Sequence, residues 1–228
     1  MYAKHLMRLI NVLCIAVGLG LVTGGAALAD STYSFVGVNY STVTNNTTCT
    51  VGTCASYTTS QHIVGSFTTT LPLGGGLVDF AITPASYSFN DGVNTIASSN
   101  PEARIYRFKV YTDGQGRITA ARIIVSAWTT ATHTTLGRSN GILINADSAV
   151  NNAGCSSVIT SPESGVTDIC NAAADSNTSF AQQSTQGVWT SPAPSAVPTL
   201  SEWALILLGS VLALGGFWWT RKRLAFSA

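Results

Sequence analysis

Charge is scarce in this chain. Only 9% of its 228 residues are Asp, Glu, Lys or Arg, against roughly 25% in an ordinary soluble domain. The basic residues also lie unevenly: Lys4 and Arg8 precede the first apolar run, and Arg221, Lys222 and Arg223 follow the last. Six basic and nine acidic residues remain for the middle, a net charge of about −3 spread thinly. That argues against a nucleic-acid partner, which needs Lys and Arg clustered on one face. Histidine is equally sparse, with only His62 and His133 beyond the N-terminal segment. Neither stands in an H-E-x-x-H or H-x-x-E-H pattern, so no zinc-protease signature is present. No internal repeat and no long helical periodicity interrupts the stretch from Ser31 to Trp189.

Apolar residues, by contrast, are concentrated at the two ends, and mean hydropathy is +0.29. Leu9 to Val22 is an almost unbroken apolar run behind Lys4 and Arg8, followed by small residues ending in Ala27-Leu28-Ala29. This is the n-region, h-region and A-x-A site of a secretory signal peptide. Its 14 residues would reach only about 21 Å as a helix, short of the roughly 30 Å hydrocarbon core. Residues 1–29 are therefore expected to pass the Sec translocon and leave through signal peptidase, cut between Ala29 and Asp30.

Export makes the cysteine count informative. Cys14 leaves with the signal, and Cys49, Cys54, Cys155 and Cys170 remain, an even number for an oxidising compartment. Proximity favours Cys49–Cys54 and Cys155–Cys170, although four cysteines allow three pairings. No second close pair or nearby His completes a zinc set, and no metal or cofactor is expected.

At the other end, Trp203 to Trp219 is 17 residues without a charge, at the short limit for a membrane helix. Trp203, Trp218 and Trp219 mark its boundaries, and Arg221-Lys222-Arg223 follow. The positive-inside bias places that end in the cytoplasm. Ahead of it, Pro198 blocks helix continuation and keeps Val197 extended, a form that enters a protease cleft. Ser201 and Glu202 suit a helix start. Val197-Pro198-Thr199-Leu200-Ser201-Glu202-Trp203 resembles the IPTL-type variant of PEP-CTERM sorting domains, with Val197 where Ile is typical and Ala204 where Gly often follows Trp. The resemblance covers roughly the last thirty residues. It implies cutting near the motif by an exosortase, an integral-membrane protease, in a Gram-negative-type bacterium. The product would then rest at the cell surface or in an extracellular matrix, with exopolysaccharide as a possible neighbour.

Between the ends, alternation points to a mainly β, antiparallel sandwich-like ectodomain over 30–190. A 191–196 Pro/Ser/Ala spacer leads to a sorting domain over 197–225. Arg104 to Thr112 sets Tyr106, Phe108 and Val110 against Arg107, Lys109 and Tyr111. Asp113-Gly114-Gln115-Gly116 then turns the chain into a second strand, Arg117 to Trp128. Other expected strands are Tyr33–Val38, Tyr57–Thr70, Leu77–Ile82, Ser86–Phe89, Gly141–Asn145 and Gly187–Thr190, about eight in all. Asn145 to Gln183 reads as a long loop stapled by Cys155–Cys170. The F-x-G start, SFNDG and YRFKVYTDGQG patterns resemble the β-rich ectodomains often joined to PEP-CTERM tails.

Three activities are open to such a body. A structural or interaction role needs no site. Carbohydrate binding would use Trp128, Trp189, Tyr106 and Tyr111 as stacking faces, although aromatics more often fill cores. A hydrolase would need His62 or His133 joined to an acid in a cleft, or two carboxylates flanking a glycosidic bond. Asp79, Asp91, Glu102 and Asp113 stand mostly in turn-like settings, where Asp serves backbone hydrogen bonds. No EF-hand spacing supports calcium at Asp91 or Asp113.

Overall fold

The computed structural model describes residues 30–49, 54, 56–144, 147–192 and 206–214. They belong to two units, one running to Pro192 and the other starting at Ala193. The first is built of antiparallel strands in two sheets. The smaller sheet has the order β13 (Val188–Thr190), β1 (Ser31–Val36), β3 (Val64–Thr69), β5 (Ser86–Asn90) and β6 (Thr95–Ala97). The larger runs β2 (Tyr40–Thr44), β12 (Ser179–Gln183), β10 (Ser148–Ile159), β9 (Arg138–Ile144), β8 (Ile118–Trp128), β7 (Ala103–Thr112) and β4 (Phe80–Ala81). An eighth strand, β11 (Ile169–Ala173), pairs with β10.

Period-two alternation decides which side chains meet. On β1 it turns Tyr33 and Phe35 inward, on β5 Tyr87 and Phe89, and on β8 Ala121, Ile123 and Val125. The two inward faces form one apolar core. Phe67 of β3 meets Phe108 of β7 edge to face with centroids 5.0 Å apart. Tyr87 and Phe89 lie 6.1 and 6.5 Å from the same Phe108 ring. Gly65 is needed at the centre of the smaller sheet: a Cβ there would stand 2.8 Å from the Cα of Phe89.

The expected β7–β8 hairpin is present. The Asp113 carbonyl accepts from the Gly116 amide at 3.1 Å. The Asp113 carboxylate accepts from the Gln115 and Arg117 amides at 2.8 and 2.9 Å. Gly116 takes a φ of 78°, a conformation that glycine adopts without a Cβ penalty. The alternation on β7 is interrupted, however. A bulge between Ile105 and Arg107 leaves Tyr106 unpaired, so Tyr106 departs from the inward row and only Phe108 and Val110 keep it.

Several expectations need correction. Residues 148–183 are not a long loop but carry β10, β11 and β12; Asn145 itself lies outside the described residues. The strand expected at Tyr57–Thr70 is confined to Val64–Thr69, and that at Leu77–Ile82 to Phe80–Ala81. β2 and β6 were not expected from pattern. The second unit shows one helix, α1 (206–214), inside the segment expected to span the membrane. No helix among the described residues is long and apolar enough to cross one. The signal segment 1–29, the motif Val197–Trp203 and the tail Arg221–Arg223 lie outside the described residues.

Phe108→Ala, which empties the meeting point of three rings, is expected to cost about 3–5 kcal/mol in urea unfolding. Val36→Ala, at a side chain 52% exposed, should stay within about 0.5 kcal/mol.

Candidate functional site

The outer face of the larger sheet, turned away from the core, carries the chemically distinctive groups. β10 is irregular on this side. A bulge between Val150 and Ala153 puts Asn152 at a φ of 57°. Asn140 holds the bulge by accepting from the Asn151 side chain at 3.0 Å and the Asn152 amide at 2.9 Å. Beyond the bulge, β10 and β11 bend over β7, β8 and β9. Together these strands line a half-open cavity of about 230 Å³ whose lining includes no charged side chain.

At one end of this cover Trp128 organises a corner. It is 5% exposed and packs on Cys155 and Cys170. Its Nε1 donates to the Asp168 carbonyl at 2.9 Å, and its amide donates to the Glu102 carbonyl at 3.1 Å. The His133 ring stacks on the indole with centroids 4.6 Å apart and planes within 9°. His133 Nδ1 lies 2.6 Å from Asp168 Oδ2. Its Nε2 approaches Glu102 Oε2 to 2.6 Å, an ion-pair contact without hydrogen-bond alignment. Arg104 donates to Asp168 Oδ2 at 2.8 Å. Burial works to raise the Asp168 pKa, but Arg104 and His133 outweigh it and hold the carboxyl below its ordinary value. Asp168 sits at a φ of 62°, a backbone form that Asp tolerates better than most residues.

This corner joins a histidine to acids at both of its ring nitrogens. Both ring nitrogens face carboxylates, and among the described residues no hydroxyl nucleophile is hydrogen-bonded to either. The imidazole also fills the space between Glu102 and Asp168 that a glycosidic bond would have to enter. His62 makes no ion pair among the described residues, and its buried Nδ1 has no hydrogen-bond partner.

Farther along β7 and β8 the outward row carries an ionic ladder. Asp79 accepts from Lys109 at 3.0 Å, Tyr111 at 3.1 Å and Arg122 at 3.2 Å. Glu163 accepts from Arg107 through both Nε and a guanidinium nitrogen, and Lys109 lies 3.2 Å away. The Arg107 hydrogen bond, reinforced by Lys109, holds the Glu163 carboxyl at about 2. Across the sheet, Arg138 does the same for Asp175, also at about 2. Five of the six cations of the body are thus ion-paired.

Sequence reasoning named Glu102 and His133 but neither Asp168 nor these groupings, because Glu102 with Arg104, His133, and Asp168 converge from three separate segments. The signal that could have found them is the scarcity of charge itself, since in so neutral a body each ion is expected to seek a partner. The other turn acids behave as expected. Asp91 is fully buried; its Oδ1 accepts from the Val93 and Asn94 amides and its Oδ2 from the Tyr57 hydroxyl. Among the described residues no group of three His, Cys, Asp or Glu could hold a metal.

The four aromatics proposed for sugar stacking do not share a surface. Trp189 packs on Phe35 and Phe67, Trp128 is covered by His133, Tyr106 lines the cavity, and the Tyr111 hydroxyl is tied to Asp79. Of the two expected disulfides, Cys49–Cys54 is formed, with Cα atoms 5.6 Å apart. The second is corrected: Cys155 and Cys170 are both free and buried. They stand diagonally across the β10–β11 pair, Cys155 opposite Ala172 and Cys170 opposite Val158. Burial, aided by the adjacent Cys155 thiol, pushes the Cys170 thiol up to about 12.

The body is thus an antiparallel, sandwich-like β domain with its ion pairs along the larger sheet. Residues 195–223 match the family model of the IPTL-CTERM motif, so the chain carries that sorting signal at its C-terminal end. This match supports the resemblance to PEP-CTERM/IPTL-CTERM proteins, and the motif implies processing by a membrane-associated sorting enzyme. No curated protein and no solved structure matches the chain.

Alkylation should separate the two cysteine pairs. Unfolded without reductant, protein beginning at Asp30, which lacks Cys14, is expected to gain two carbamidomethyl groups by mass, at Cys155 and Cys170. Folded at pH 8, it should gain almost none, because buried thiols with a raised pKa supply little thiolate. Acid sensitivity follows from Glu163 and Asp175. Each binds its proton more tightly unfolded than folded, so its contribution is complete above about pH 4.5 and lost as pH falls toward 2. Urea midpoints should therefore be lower at pH 3 than at pH 6, and Glu163→Gln combined with Asp175→Asn should narrow the gap.

Proposed function

We propose that this chain is an exported protein whose tail is cut by an exosortase-type membrane protease. In this reading the β body then works at the cell surface or in the extracellular matrix, as a structural or interaction module rather than an enzyme. The observation that carries the reading is the motif match over 195–223, centred on Val197-Pro198-Thr199-Leu200-Ser201-Glu202-Trp203. The signal-peptide pattern ending at Ala29 supports export independently. It places the cut beside Ser31, where β1 begins, so the mature chain would start at its first strand. The Cys49–Cys54 disulfide suits an oxidising compartment.

The non-catalytic part of the reading draws on the His133 corner, where the imidazole is enclosed by carboxylates instead of being offered to a nucleophile. The ionic ladder on β7 and β8 supports contact with a polar matrix, since it leaves a neutralised, hydrated face in place of an apolar one. Exopolysaccharide is such a matrix.

Replacement of Pro198-Thr199-Leu200 by three alanines is expected to leave full-length protein in the inner membrane. Wild-type protein should be shortened and moved outward, as cell fractionation and a tag on the body would read. Equal maturation of the two would remove the sorting claim.

A further inference from the structure

The cavity under the β10–β11 cover is built differently from the rest of the outer face. Its walls include Ile124 of β8, Leu143 of β9, Val150 of β10 and Ile169 of β11. Outward positions on an open sheet normally carry polar residues, as Arg107, Lys109 and Arg122 do on β7 and β8. Small residues keep the space open. Gly141 and Ala153 line it, and a Cβ on Gly141 would already come within 3.0 Å of the Val150 methyl. Ser139 also lines it, is 1% exposed, and among the described residues its Oγ makes no well-formed hydrogen bond. Its polar neighbour there is the Cys170 thiol, a weak partner. A buried hydroxyl left in this state costs about 1–3 kcal/mol, and that cost is removed when a ligand atom meets it.

These features define the ligand chemistry. A charged ligand is disfavoured, because the lining includes no Lys, Arg, His, Asp or Glu to pair with it. An apolar cavity of about 150 Å³ accepts benzene, so about 230 Å³ accommodates a ring with a small substituent. The Tyr106 ring at the wall and the Cys170 sulfur are good partners for an aromatic group. A ring also loses less conformational freedom on binding than an alkyl chain of similar size. We propose that this cavity is a binding site for a neutral, single-ring aromatic molecule bearing one hydroxyl or carbonyl oxygen, its oxygen bonded to Ser139. The site does not depend on the sorting reading, since it uses only residues of the body.

The test is ¹⁹F NMR titration of the full-length chain with 4-fluorophenol, and with fluorobenzene as the analogue lacking oxygen. Wild-type protein is expected to bind 4-fluorophenol saturably, with a Kd of about 1 mM or below, and fluorobenzene more weakly. Ser139→Ala should weaken 4-fluorophenol about five- to tenfold and leave fluorobenzene unchanged. It should also unfold no more readily than wild type, because it deletes an unsatisfied group. Ala153→Leu should abolish both titrations by filling the space. Absence of saturable 4-fluorophenol binding overturns the site, and so does binding that both variants leave intact. Equal affinity of wild type for the two probes overturns the role of Ser139. Should Ala153→Leu fail to fold, the contrast between probes in Ser139→Ala decides alone.

Discussion

Between the two sheets, Phe67 and Phe108 meet edge to face, and the rest of the molecule depends on that contact. Phe67 belongs to a strand of the smaller sheet and Phe108 to the long hairpin of the larger one. Tyr33 stacks on Phe67 at 5.0 Å, while Tyr87 and Phe89 surround Phe108. Because strand side chains alternate, fixing these rings inward fixes the opposite set outward. Arg107, Lys109 and Arg122 therefore reach solvent as a consequence of where Phe108, Val110, Ala121 and Ile123 are buried. A one-residue slip would exchange the two rows and bring three cations into an aromatic core.

That same rule explains what could be read without coordinates. The β7–β8 hairpin was legible because RIYRFKVYT alternates cleanly and DGQG is turn chemistry. The β1 and β5 strands were legible from aromatics two residues apart. The stretch from Ser148 to Gln183 was not, for a physical reason. Its strands are rich in Ala, Ser, Asn and Cys, residues too small to mark a face clearly. They form β structure because flanking strands pair with them and because Asn140 and Asn152 stabilise a bulge. Pattern likewise placed Tyr106 in the core, but a single bulge residue moves it out. Bulges carry no signature in residue type. The cysteine arithmetic paired neighbours correctly at Cys49–Cys54 and wrongly at Cys155–Cys170, where β10–β11 register sets the two side chains diagonally.

The outer face brings together three features around Trp128. Its indole supports the His133 ring, covers both free thiols and anchors the backbone at Asp168. The thiol of Cys170 in turn lines the apolar cavity. A change at His133 and a change in the cavity would thus be felt by the same side chain. The candidate site was only partly visible in the sequence, since histidine and acids could be named but their convergence depends on strand order. The C-terminal signal was fully legible, because a sorting tail is recognised as a linear string.

The pairing of β1 with β13 joins the two ends of the body. Thr190 lies opposite Ser34 and Val188 opposite Val36, and the Ser191 hydroxyl accepts from the Ile118 amide. A polypeptide threaded through a pore from its N-terminus cannot form this pair until almost the whole body has emerged. The earliest strand must wait with one edge unsatisfied, and the latest one seals it. Closure of the smaller sheet thus requires nearly the whole body, from Ser31 to Thr190, to be present together.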